Sequence, residues 1–451
     1  PLVLAAAREA PRGRIIDARG TVLARNVKGA DGSSLRRYGS VAMAPVIGYK
    51  SGQFGTAGLE RSYDAELSGL GQLSPADRLL RKFRRDPYDP HDLLLSIDLR
   101  LQSRAMELLG NSRGAIVAIE PSTGRVLALA STPTFNPNAL VDPERGKAYF
   151  DSLRNQPTEA SALLNRGTQG RFVPGSTFKI VTAIAALGSG AITPETVFED
   201  QPGEERTGFR VEGFRIRDGH HRFTGSRPLP LVEATEVSCN IFFAHAALET
   251  GGANLAGWAA RLGFGAPIPF DLPTAPSQVT NGGGKDGGFK SRVELANAGY
   301  GQGETFTTPL QMALVAQAVA NGGELMKPKL VDEVRSPETG QVRRIPQQSW
   351  NRVIGPDDAA VIAEAMEQAV EGRFGRRFAG AARIPGVRTA GKSGTAELGG
   401  QGEPHSWFIG FAPVEQPRIA VAVVVAGGGF GRERAVPMGG ELMESYLRLS
   451  R

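Results

Sequence analysis

The chain is poor in the residues that build metal centres and covalent staples. Its 451 residues include one cysteine, Cys239, and five histidines. A single thiol excludes an internal disulfide and a zinc site of several thiolates. Cys239 reads as a small buried filler rather than a nucleophile. His220-His221 is the only histidine pair, and it lies near Asp218 in a polar stretch that reads as solvated loop. No metal and no cofactor are expected. Long hydrophobic runs are also missing. Residues 305–323 carry no charge, but Pro309, Gln311, Gln317 and Asn321 make that run a buried helix rather than a membrane span. The chain begins at Pro1, and an N-terminal membrane anchor is expected to be absent from it. Aromatics are 7% of residues and do not interleave with the basic ones, which argues against nucleic acid as a partner.

Charge of one sign is scarce in most of the chain but not in its beginning. Residues 1–90 carry 15 Lys and Arg against 9 Asp and Glu, the whole of the +6 excess, whereas residues 91–451 carry 37 of each. A basic first region under a neutral larger one fits contact with anionic headgroups or wall polymers, and equally a plain solvated face. The length calls for more than one core. The run Arg81-Lys82-Phe83-Arg84-Arg85, followed by Pro87 and Pro90, reads as a linker. It divides the chain into an N-terminal domain at 1–90 and a larger one at 91–451.

Local patterns give an outline of both. Residues 11–25 read as two short strands around an Asp17–Gly20 turn, and 26–37 as a polar loop. In the larger region a strand at 93–97 precedes a helix that Asp98 caps. Two strands at 114–120 and 125–130 form a hairpin. A helix runs through 180–187, a second through 231–250 with a break near Ser238, a third from Pro309, and a fourth at 357–370. Residues 200–230 read as irregular. Three strands follow at 388–396, 405–412 and 418–426, then a short helix at 441–449. Trp407, Phe411, Phe242 and Phe243 read as core. Strands early and late with helices between describe an α+β fold, one antiparallel sheet covered by helices.

Three short motifs carry the chemistry. Pro174-Gly175-Ser176-Thr177-Phe178-Lys179 places a serine at the start of an apolar helix with a lysine three residues on, the one Ser-x-x-Lys in the chain. Residues three apart share a helix face, so a neutral Lys179 amine can take the proton of the Ser176 hydroxyl. Ser238-Cys239-Asn240 follows 62 residues later. At a helix break its hydroxyl and amide can enter one cleft, where Ser238 could relay a proton and Asn240 could hold Lys179 and a substrate amide. Lys392-Ser393-Gly394-Thr395 comes 154 residues after that. On a strand Lys392 adds positive charge that helps keep Lys179 neutral, Ser393 and Thr395 offer hydroxyls to a carboxylate, and Gly394 leaves room where a ligand backbone could approach. Taken singly these motifs are weak. Ser176 alone reads more readily as a helix cap, and chance copies of the others occur at Lys50-Ser51-Gly52 and Ser349-Trp350-Asn351. Their order and setting carry the weight.

That ordered set resembles the class B penicillin-binding proteins, monofunctional peptidoglycan transpeptidases. Further stretches are similar: Arg12-Gly13-Arg14-Ile15-Ile16-Asp17, Gly58-Leu59-Glu60-Arg61-Ser62-Tyr63-Asp64, Gly301-Gln302-Gly303 with Thr308-Pro309-Leu310-Gln311-Met312, and Ser406-Trp407-Phe408-Ile409-Gly410-Phe411. The N-terminal domain, about 80 residues, is short for the class. The resemblance implies a five-stranded antiparallel sheet covered by helices, as in serine β-lactamases, beside a small β-rich N-terminal pedestal. It implies that Ser176 attacks a stem peptide ending in D-Ala-D-Ala, with Lys179 as base, Ser238 and Lys392 returning a proton, and the backbone N–H groups of Ser176 and Thr395 as oxyanion hole. β-Lactams would acylate Ser176. A membrane glycan polymerase is the implied partner, and the outer face of the bacterial cytoplasmic membrane the implied location. A serine β-lactamase, a β-lactam sensor domain and a DD-carboxypeptidase are the alternatives. Glu397 is a candidate base but reads as a strand-end surface carboxylate, and no Glu or Asp is clearly placed to activate a deacylating water, which argues against the β-lactamase.

Overall fold

The structure, a computed structural model, describes residues 12–29, 34–69, 89–218, 227–400 and 402–450. Two main sheets are built from β1 (Ile15–Ile16), β2 (Val22–Lys28), β3 (Ser34–Tyr38), β4 (Asp92–Leu95), β5 (Gly114–Ile119), β6 (Val126–Thr132), β7 (Val331–Arg335), β8 (Val342–Arg344), β9 (Ala390–Ala396), β10 (His405–Ala412) and β11 (Ile419–Val425). Packed around them are α1 (Leu99–Leu109), α2 (Lys179–Gly188), α3 (Leu231–Glu236), α4 (Asn240–Thr250), α5 (Pro309–Ala320), α6 (Pro356–Glu371) and α7 (Ala435–Leu449).

The larger sheet runs β9-β10-β11-β5-β6, every pair antiparallel. Its middle strand β11 reads Ile-Ala-Val-Ala-Val-Val-Val and is buried throughout. Alternation explains the unbroken apolar run. Ala420, Ala422 and Val424 face a core shared with α2 and α5, while Val421 and Val423 face a second core shared with α1 and α7. β9 ends the sheet on one side, so one of its edges is open to a ligand.

The smaller sheet runs β8-β7-β4-β1-β2-β3. β4 pairs in parallel with β1 and antiparallel with β7. The sheet therefore runs across residue 90 and takes strands from residues 92–95 and 331–344. A buried cluster holds its inner face. Glu60 accepts from Arg36 Nε at 2.6 Å and from Arg12 Nε at 3.0 Å.

Gln102 ties the larger sheet to the 3-10 turn Val41–Met43, which follows β3 of the smaller one. It is fully buried on α1, and its Nε2 donates to Leu129 O and to Ala42 O while its Oε1 accepts from Leu129 N. The side-chain amide thus serves as a one-residue strand on the outer edge of β6. Gln102→Ala leaves Leu129 N and both carbonyls without these partners. Unfolding in denaturant is expected to show a loss of about 2–4 kcal/mol, and a change below about 0.5 kcal/mol would show that water replaces the amide.

Three local expectations are corrected. Residues 26–28 and 34–37 are not loop, since they pair in β2 and β3, while 30–33 lie outside the described residues. Their polar residues sit in the ladder because Arg36 is buried against Glu60. Residues 200–230 hold a helix, Gln201–Thr207, and a hairpin, Phe209–Val211 with Phe214–Ile216. The last helix begins six residues early, at Ala435. Gly439 hides its first turns from a propensity reading, yet a Cβ there would lie 2.3 Å from Phe408, so the glycine is what lets α7 reach the sheet. The Arg81–Arg85 linker and His220-His221 lie outside the described residues.

Candidate active site

A 3-10 turn, Gly175–Phe178, leads into α2 and carries Ser176. Its three-residue repeat stacks Ser176 over Lys179. Gly175 has φ of +53°, and a Cβ on it would lie 2.6 Å from Thr395 O. Glycine thus satisfies both the left-handed backbone and the close approach of the turn to β9. A Cβ on Gly394 would meet Pro174 O and Thr177 Cγ2, each at 3.0 Å. The space Gly394 leaves is therefore filled by the Ser176 turn, not by a ligand as expected from its place in the motif. Trp407 Nε1 donates to Val173 O at 2.9 Å and fixes the approach to the turn. Gly175→Ala is expected to keep the fold but push Ser176 away from β9. A shift of about 1 Å costs about 100-fold in rate, read as slower covalent capture of penicillin.

The break between α3 and α4 places the second motif. Ser238 has φ of +62°, a left-handed conformation that few residues other than glycine adopt. Lys179 Nζ donates to Ser238 O at 2.5 Å and to Asn240 Oδ1 at 2.8 Å, and lies 3.2 Å from Ser238 Oγ. Lys392 Nζ reaches the same hydroxyl at 2.8 Å and Ser393 O at 3.0 Å. One hydroxyl thus lies between two amines. Asn240 Nδ2 donates to Arg217 O at 3.2 Å, which orients the amide with its oxygen toward Lys179.

Both lysines are buried, with 0% and 1% of their surface exposed. Burial lowers Lys179 from its ordinary 10.5 to about 8, opposed by the nearby charges of Asp218 and Cys239. Burial also lowers Lys392 well below its usual range, and the neighbouring Lys179 adds to the drop. Two amines that share a hydroxyl titrate as a pair. Lys179 Nζ has three oxygens within reach, Ser238 O, Asn240 Oδ1 and Ser238 Oγ, a set that suits either protonation state.

Ser176, Ser238, Asn240, Ser393 and Thr395 line one cleft of about 1110 Å³. All three motifs therefore meet, with Lys179 and Lys392 buried behind the Ser238 and Asn240 that line it. Ser176 is half-buried at the cleft and, among the described residues, stands outside the lysine hydrogen-bond set. The chance copies lie elsewhere. Lys50-Ser51 forms a short strand beside the smaller sheet, and Asn351 Nδ2 donates to Arg261 O. Cys239 is buried at the N-terminus of α4, where its Sγ accepts from Phe242 N and Gln201 Nε2. Among the described residues no group of three or more His, Cys, Asp or Glu could hold a metal ion.

Residues 114–444 match the model of the penicillin binding protein transpeptidase domain, and residues 12–87 that of the penicillin binding protein A dimerisation domain. The chain belongs to the penicillin-binding transpeptidase family. Among curated relatives, the peptidoglycan D,D-transpeptidase PbpA of Mycolicibacterium smegmatis is 34% identical over 427 residues, covering 90% of this chain and 83% of that protein. The D,D-transpeptidase MrdA of Escherichia coli is 31% identical over 436 residues, covering 87% and 64%. Among solved structures, penicillin-binding protein A of M. tuberculosis, as an imipenem acyl-enzyme complex, matches with a TM-score of 0.84 at 30% identity over 98% of this chain and 99% of that one. Its penicillin G acyl-enzyme complex gives 0.82 at 31% identity, over 97% and 99%.

Membership makes sense of residues that sequence reasoning passed over. Asn297, Tyr300, Phe214 and Arg432 also line the cleft. Phe214 and Phe430 are among the few large apolar side chains left exposed, and both stand at its mouth. The Gly301–Gly303 segment flagged Tyr300 by proximity. Phe214 sits in a span that reads as irregular and had no signal. Glu397 is exposed at the cleft, consistent with its surface reading.

Proposed function

We propose that this protein cross-links peptidoglycan as a D,D-transpeptidase, through an acyl-enzyme on Ser176 that β-lactams can capture. The observation that carries the assignment of roles is the Ser238 hydroxyl, held between Lys179 and Lys392 in the cleft that Ser176 borders. Neutral Lys179 takes the Ser176 proton as Oγ attacks the carbonyl of the penultimate D-Ala. The backbone N–H groups of Ser176 and Thr395 receive the developing oxyanion. The C–N bond breaks, and a proton from Lys392 passes through Ser238 to the leaving D-Ala amine. An acceptor amine then attacks the ester and gives its proton through Ser238 to Lys392, while Lys179 returns its proton to Ser176 Oγ as the ester C–O bond breaks. Ser393 and Thr395 hold the terminal carboxylate of the stem.

Incubation with a D-Ala-D-Ala stem peptide and an amine acceptor tests this. Mass spectrometry is expected to show an exchange product that keeps the acceptor. Release of D-Ala without acceptor incorporation, at any acceptor concentration, makes the protein a DD-carboxypeptidase instead. We further propose that residues 1–90 form a pedestal for the catalytic domain at 91–451. The outer face of the cytoplasmic membrane, through an anchor, is its place of action, with a membrane glycan polymerase as partner. No helix among the described residues is long and apolar enough to cross a membrane. Support for the pedestal comes from the shared sheet and from Gln102.

A further inference from the structure

The β2–β3 hairpin carries an unbalanced charge pair. Its register sets Arg25 directly opposite Arg37. Opposed side chains on an antiparallel pair stand about 5 Å apart at Cβ, and like charges there destabilise the pairing. Both arginines are exposed, and among the described residues neither has an ion-pair or hydrogen-bond partner. Among the described residues Glu60 and Asp64 serve the opposite face. Glu60 holds Arg36 and Arg12, and Asp64 holds Arg12. Asp142 feels the charge of Arg37, but its carboxylate accepts from Glu144 N and Arg145 N.

The next pair on the same face is apolar. Val27 lies opposite Leu35, and both are only half-buried. Leu23, on the same face, is buried in the core, so the face is open only where Arg25, Val27, Leu35 and Arg37 stand. Two planar guanidinium forks at this spacing suit one phosphate group, each able to donate two parallel hydrogen bonds. The apolar pair beside them is what a free phosphate would not use. A cation pair next to a small apolar step fits the boundary between lipid headgroups and acyl chains.

We propose that this hairpin face docks on the membrane surface, with Arg25 and Arg37 gripping the phosphate of an anionic phospholipid and Val27 and Leu35 entering the headgroup layer. The contact orients the smaller sheet on the bilayer and so sets the reach of the Ser176 cleft. It does not depend on the acyl-transfer reading, because penicillin capture is measured separately on the same samples.

The test is sedimentation of the protein with phosphatidylglycerol-rich vesicles and with phosphatidylcholine vesicles. R25Q/R37Q is compared with R376Q/R377Q, which removes the same charge from exposed arginines of the larger region. The wild type is expected to partition onto the anionic vesicles, and R25Q/R37Q to bind about thirtyfold less. R376Q/R377Q should bind like the wild type. R25Q/R37Q should unfold at the same temperature or higher, since repulsion is relieved, and react with penicillin at the wild-type rate. Equal losses in the two double variants would reduce the effect to net charge and overturn the proposal. So would binding that ignores phosphatidylglycerol, or full competition by inorganic phosphate alone.

Discussion

Ser176→Ala is expected to abolish the covalent adduct with penicillin G while leaving the fold and reversible binding in place. Intact mass measured over time reads the adduct. The wild type should gain the mass of one penicillin, and the variant none. The reasoning is local. Ser176 is half-buried and, among the described residues, contributes no hydrogen bond to the lysine set, so its loss costs little stability. Ser393 and Thr395 still line the cleft and can still receive the carboxylate of the drug. What disappears is the one oxygen that can form the ester. Chance hydroxyls do not replace it: Ser238 is held between two amines, and Thr395 Oγ1 accepts from Gly431 N at 3.2 Å. An adduct that persists in the variant would transfer the nucleophile to one of those two, and the proposed roles would fail. An adduct that forms in the wild type and decays within seconds would instead mark a β-lactamase.

The site was more legible in the sequence than the architecture around it. Each motif depends on short-range features, a turn before a helix, a helix break and a strand, and residue types alone announce them. Order along the chain then set aside Lys50-Ser51-Gly52, which precedes Ser176, and a polar setting after Gln347-Gln348 set aside Ser349-Trp350-Asn351. The strands of the larger sheet were legible for the same reason, because β5, β10 and β11 are long apolar runs buried on both faces. Long-range pairing left no such trace. Nothing in Val331–Arg335 announces that it adds to β4, more than 230 residues earlier, because its alternation fits any sheet. The β2–β3 hairpin was hidden by polarity, since Arg36 looks like loop until Glu60, distant in sequence, is placed beside it. The motif glycine Gly394 shows the same limit. Its type signalled a close approach, but only the three-dimensional packing shows that the approaching group is the Ser176 turn.

Lys179→Met is expected to slow penicillin capture by about 10³- to 10⁴-fold, near the upper range for loss of a general base. The stronger evidence lies in the pH dependence of the wild type. Lys179 must be neutral to accept the Ser176 proton, and burial sets its pKa at about 8. Acid therefore turns the base off. The capture rate should fall about tenfold per pH unit below about 8, leaving roughly a tenth of the amine neutral at pH 7. The active state is the pair with one proton left, held on Lys392, so the rate should also fall when the pair loses that last proton at high pH, giving a bell whose limbs belong to the pair. Lys392→Ala separates the two amines. It removes a cation close to Lys179, and a lost like charge lets the protonated form of Lys179 persist to higher pH. The acid limb should then move upward, and Lys392→Arg, which keeps the charge, should hold it nearer its wild-type position. The sign is the test. If Lys392 were the base and Lys179 the retained cation, Lys179→Met would keep an acid limb and Lys392→Ala would erase it.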